Sequence, residues 1–98
     1  MRTTLLQIVD QLTSLPNGQV ICAREPWSAA SEALSTQPGP DLGVPDLVKA
    51  LGLGYFLEVS VAREVLEALA HRASSLDERV SLLIHYARHD AYPDWIYE

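Results

Sequence analysis

Between Gln37 and Pro45 the chain carries three prolines and two glycines, Pro38, Gly39, Pro40, Gly43 and Pro45. Proline has no amide hydrogen to donate and glycine is costly to order, so neither a helix nor a sheet ladder persists through such a stretch. Whatever folds must be assembled from the segments on either side of this loop. At about nine residues the loop is longer than the usual connection of about 4 to 6, a length at which binding loops occur, although a plain crossing is the simpler expectation.

With 98 residues and 48% hydrophobic side chains against 20% charged ones, the chain has the size and balance of one domain with one core, residues 1 to 98 together. It needs no disulfide or metal for this. Cys22 is its single cysteine, so an internal disulfide and a thiolate metal site are both excluded. No apolar run approaches the roughly 20 residues that span a bilayer. The start, Met1, Arg2, Thr3, Thr4, Leu5, lacks the apolar stretch of a secretory signal. These features together predict a cytoplasmic protein.

Thirteen acids against seven bases give a net charge of −6 with neutral histidines. That field repels phosphate backbones and anionic lipid, which argues against nucleic-acid and membrane partners. A basic protein partner fits it, and so does the ordinary use of acidity for solubility.

Local patterns predict the elements. Leu5, Leu6, Ile8, Val9, Leu12 and Leu15 recur at helical spacing behind Thr3 or Thr4 as a cap, giving a helix from about Thr4 to Ser14, which Pro16, Asn17 and Gly18 end in a turn. Gln19 to Arg24 reads as a strand, closed by Pro26. Glu32 to Thr36 is expected to return beside it as the second arm of a hairpin, with a helix starting at Ser28 as the alternative. Pro45 opens a short helix over Asp46 to Leu51, stopped by Gly52. Tyr55, Val59, Ala62, Leu66 and Leu69 then form a stripe at helical spacing, which predicts a helix from about Tyr55 to Arg72; Phe56 to Val61 competes as a strand, but the length of the pattern favours helix. Ser75 and Glu78 have the spacing of a capping box for a last helix, lined by Val80, Leu83, Ile84 and Ala87 and ended before Pro93. The expected fold class is α+β: an amino-terminal helix, a short antiparallel β-hairpin, and a helical second half whose two longer helices pair antiparallel.

Four of the seven aromatic residues, Tyr86, Tyr92, Trp95 and Tyr97, fall in the last thirteen positions, interleaved with Asp90, Asp94 and Glu98. Rings with polar tips beside acids compose an interaction surface, so Trp95, Tyr92, Tyr97 and Asp94 are the candidate partner-binding residues, and residues 92–98 read as an aromatic, acidic tail. Trp27, after Pro26, joins them as a candidate anchor; its other reading is a core cap whose indole donor reaches a carbonyl.

His85 and His89 lie four apart on the last predicted helix, a spacing that puts both imidazoles on one face where they could share a metal. Two ligands do not complete a site; a third would have to come from Asp90, His71 or a carboxylate of the preceding helix. Glu64 and Glu67 make a helical carboxylate pair, whose ordinary reading is a solvated face with Arg63 paired to Glu67. Glu58, flanked by Leu57 and Val59, would need Arg24 or Arg88 if buried. Cys22 on a strand is an inert core residue rather than a nucleophile. There is no phosphate loop, nucleophile elbow or dinucleotide fingerprint, so no cofactor is expected.

The expectation is a non-enzymatic protein that acts by binding another protein, an acidic partner of a basic one on the pattern of immunity proteins that neutralise basic toxins. Self-association through the tail is a second form of this reading. The rival is a small metal-binding or hydrolytic module using His85 and His89.

Overall fold

Thr4 stands at the start of the first helix with extended backbone and accepts the Gln7 amide hydrogen on its hydroxyl, while the Gln7 side-chain carbonyl accepts the Thr4 amide at 2.9 Å. This reciprocal cap satisfies two amides that no helical carbonyl can reach. The fold is that of a computed structural model that describes residues 3–39, 43–70 and 74–97, the Tyr97 side chain excepted. Its elements are β1 (Thr3–Thr4), α1 (Leu5–Asp10) tightening to a 3₁₀ turn at Leu12–Ser14, β2 (Val20–Ala23), β3 (Glu32–Thr36), α2 (Asp46–Ala50), β4 (Gly54–Glu58), α3 (Val59–Leu66) with a 3₁₀ turn at Glu67–Leu69, α4 (Leu76–His89), and a 3₁₀ turn at Asp94–Tyr97.

The fold class is α+β, with one antiparallel sheet in the order β1-β3-β2-β4. The expected hairpin is its centre: β2 and β3 pair from Val20 opposite Thr36 to Ala23 opposite Ala33. Two strands extend it. β1 adds to the outside of β3, and β4 adds to β2 with Ile21 opposite Leu57 and Cys22 opposite Tyr55.

The strand β4 corrects the sequence reading. A helix was expected from Tyr55, but the chain is extended through Glu58 and turns helical at Val59. The apolar stripe holds from Val59 on, since Val59, Ala62 and Leu69 are buried, although Leu66 is only half-buried and its neighbour Val65 takes the buried place. Tyr55 was in phase with it by coincidence and is 46% exposed, whereas Phe56 and Leu57 are buried. The register shifts between Ile21 and Cys22, leaving Phe56 as the extra residue of a bulge. A bulge breaks strict alternation, so consecutive Phe56 and Leu57 both join the core.

The sheet separates two cores. On one face, Ile21, Ala23, Ala33, Phe56 and Leu57 pack with the buried sides of α1, α3 and α4. On the other, Val20 and Cys22 cluster with Val48 of α2 and Leu53, with Leu34 and Val44 alongside. The second cover is thin because α2 has five residues.

Helix ends follow local chemistry. The expected capping box starts α4, with the Glu78 amide donating to the Ser75 hydroxyl at 3.1 Å and the Ser75 amide to the Glu78 carboxylate at 3.2 Å. α4 stops at His89, ahead of Pro93, because Asp90 takes a left-handed conformation (φ 53°) and its amide closes on the Tyr86 carbonyl at 2.8 Å. After α2, Gly52 has φ 82°, and a Cβ there would lie 2.5 Å from the Arg24 guanidinium. The positive φ favours glycine, and a side chain there would also have to displace the Arg24 guanidinium.

Candidate interaction surface

Turning back from Pro93, which is buried, the tail lays Ile96 into the main core at 7% exposure. Trp95 and Tyr92 pack against the same core half-buried, and Tyr92 meets the Tyr86 ring at 5.5 Å between centroids and 59°. Asp94 is exposed. The Tyr97 side chain lies outside the described residues. The tail is therefore folded onto α4 and the main core, with Tyr92 and Trp95 partly covered.

Trp27 packs on the main core edge-on to Phe56, at 5.0 Å and 89°. This is the core-capping role, with one correction. Its indole N–H reaches no carbonyl: Nε1 is buried without a hydrogen-bond partner among the described residues. The Trp27 carbonyl is the group engaged, accepting from Arg88 Nη2 at 3.3 Å.

The charged residues distribute differently from the sequence expectation. Arg24 binds Glu32 across the hairpin at 2.5 Å and donates to the Leu51 carbonyl at 2.7 Å, tying β2 to the end of α2. Glu58 is exposed at the end of β4, so it needs neither Arg24 nor Arg88. Arg63 forms no ion pair with Glu67 among the described residues. It reaches the carbonyls of Leu12, Thr13 and Leu15 and the Asn17 side chain instead. Glu64 and Glu67 are both exposed, as a solvated face requires. Next to Arg63 is an open groove of about 420 Å³, lined by Val9, Leu12, Leu66 and Ala70 with Asp10, Glu67 and Arg79.

His85 and His89 stand side by side on α4, 4.5 Å apart between ring centroids and tilted by 46°. Among the described residues no group of three His, Cys, Asp or Glu side chains gathers around a common point, so Asp90 does not supply the third ligand. His71 lies outside the described residues. Cys22 is fully buried, and burial pushes its thiol pKa up, opposite to what a nucleophile requires.

Sequence reasoning missed the side of the sheet under α2. Leu47 is 84% exposed, Leu51 54% and Tyr55 46%, and among the described residues these are the large apolar side chains most open to solvent. All three belong to one side. Leu47 and Leu51 are one turn apart on α2, and Tyr55 lies opposite Cys22, whose side chain is in the α2 cluster. Partial burial and the Glu58 carboxylate push the Tyr55 phenol pKa up from its ordinary value, against a hydrogen bond with the Glu58 backbone. A signal was present in the sequence: Leu47, Val48, Leu51 and Leu53 are more apolar residues than a five-residue helix can bury.

Compared with protein-family models, curated proteins and solved structures, the chain matches none.

Proposed function

We propose that the protein acts by binding another protein through the α2 side of its sheet. The observation that carries this reading is the grouping of Leu47, Leu51 and Tyr55, apolar side chains left open on one side while the aromatic tail is largely committed to the core. Scattered single apolar residues need no explanation, but neighbouring ones next to a thin secondary core favour a contact surface. A phenol that stays neutral and keeps its donor suits the edge of such a contact. The net charge of −6 favours a basic partner by speeding encounter. Trp95, Tyr92 and Asp94 offer a smaller, more polar surface and rank second.

The test is affinity capture from the source cell with the wild-type chain and with a Leu47→Glu/Leu51→Glu variant, together with sedimentation equilibrium of both. Because the two leucines are exposed, the variant should keep its stability within about 0.5 to 1 kcal/mol. A protein retained by the wild type and lost at least about tenfold by the variant supports the reading. Self-association of the wild type that the variant abolishes makes the partner a second copy. Equal capture by both chains, or no capture with a monomeric wild type, defeats it.

A further inference from the structure

We propose that His85 and His89 form a two-point chelate for a late first-row divalent metal, Cu²⁺ ahead of Zn²⁺, at the carboxyl end of α4. The proposal is independent of the α2 surface. The ring separation of 4.5 Å is compatible with a shared ion. With metal–nitrogen bonds of about 2.0 to 2.1 Å and each nitrogen about 1.2 Å from its ring centre, two imidazoles on one ion at an angle of about 90 to 110° lie about 4.5 to 5.4 Å apart, and the observed pair is at the short end of that range. The 46° tilt also separates the pair from a parallel stack.

Three features of the surroundings favour a cation there. Both histidines belong to the last turns of a fourteen-residue helix, where the aligned peptide dipoles concentrate negative potential. The adjacent cation, Arg88, is held to the Trp27 carbonyl. The whole chain carries −6, which raises the local concentration of cations. Imidazole pairs select copper, nickel and zinc over the hard ions that prefer oxygen, and at equal geometry copper binds most tightly. His89 is exposed and His85 half-buried, so the ion has access from solvent. With two protein ligands, the remaining coordination positions stay with water or with a donor from another molecule. Such a site holds an ion reversibly and can bridge to a partner.

The experiment titrates the untagged full chain with Cu²⁺ and with Zn²⁺ by calorimetry at about pH 7.5 and again at about pH 5.5, where protons compete for the imidazoles. Electron paramagnetic resonance of the copper complex counts the coordinated nitrogens. Expected are one saturable equivalent, two imidazole nitrogens, copper tighter than zinc by about tenfold or more, and weaker binding at the lower pH. His85→Ala and His89→Ala should each weaken binding at least about tenfold, while Leu47→Glu/Leu51→Glu leaves it unchanged. If His85→Ala disturbs the helix, His85→Gln carries the same comparison. Binding that survives loss of both histidines, a single coordinated nitrogen, or no saturation below about 1 mM overturns the proposal.

Discussion

The guanidinium of Arg63 lies against the carbonyl of Leu12, with Nη2 at 2.9 Å and Nε at 3.2 Å, and so fastens α3 to the end of the first helical segment fifty-one residues earlier. The same group meets the carbonyls of Thr13 and Leu15 and the Asn17 side chain. A helix end leaves carbonyls without amide partners, and one planar fork of donors satisfies several of them together. Arg63→Ala should cost about 2 to 3 kcal/mol, seen as a lower urea midpoint with unchanged slope. Arg63→Lys should recover less than half of it, because an ammonium cannot reproduce the fork. An alanine variant as stable as the wild type would mean that water caps these carbonyls equally well.

Phe56 and Tyr55 are neighbours in β4 with opposite fates, and their substitution tests the strand. Phe56→Ala removes a core ring and should cost about 3 to 5 kcal/mol, whereas Tyr55→Ala should cost under about 1 kcal/mol. A helix through these residues would place Tyr55 on its buried stripe and make both changes expensive. Chemical denaturation of the two variants separates the cases.

Gly52 combines positive φ with the Arg24 guanidinium where a Cβ would be. Gly52→Ala should destabilise by about 1 to 2 kcal/mol. In an Arg24→Ala background the penalty should shrink to the backbone component, about 1 kcal/mol. An equal penalty in both backgrounds would show that the arginine simply moves aside.

Trp27 stacks its edge on Phe56 while its indole N–H is buried without a partner. Trp27→Phe keeps a ring at that contact and removes a donor that gains nothing, so the thermal midpoint should fall by less than a change of about 1 kcal/mol produces. Trp27→Ala should cost about 3 kcal/mol or more. A large loss in Trp27→Phe would require the donor to be bonded after all.

Cys22 sets an alkaline limit. Burial raises its thiol pKa above the ordinary 9.0, so the folded chain holds a proton that the unfolded chain releases. The contribution is present in full below about pH 9 and is lost as pH rises through the folded-state pKa, with a slope of up to about 1.4 kcal/mol per pH unit. Tyr55, also raised, adds loss of the same sign above 10.0. Cys22→Ala should flatten the first part of this alkaline limb whatever its offset at neutral pH. Thermal melts between about pH 7 and 10.5 measure it, and parallel curves for the two chains would refute the assignment.

The capping boxes at Thr4 and Ser75, the turn at Pro16 to Gly18 and the stop at Gly52 were legible because each depends on contacts within a few residues, and the β2–β3 hairpin because both of its arms carry strand-forming residues close together in the chain. The burial of the Val59 to Leu69 stripe was legible for the same reason, since a helix repeats its own period. The candidate surface was legible only in part. Terminal aromatic residues signal contact, but whether that contact lies within the chain or outside it depends on how much core remains uncovered, and here Ile96 and Trp95 cover it.

Local chemistry alone therefore determined where the capped helices α1 and α4 start and where α2 stops, because capping and turn hydrogen bonds close over three or four residues. Only the tertiary structure decided that 54–58 is a strand, since its backbone partners are on β2, more than thirty residues away, and an extended backbone has no hydrogen bonds of its own to prefer. It likewise decided that Arg63 binds the carbonyls around the Leu12–Ser14 turn rather than joining Glu67, and which leucines stay in water. Burial is settled by what the remainder of the chain can reach.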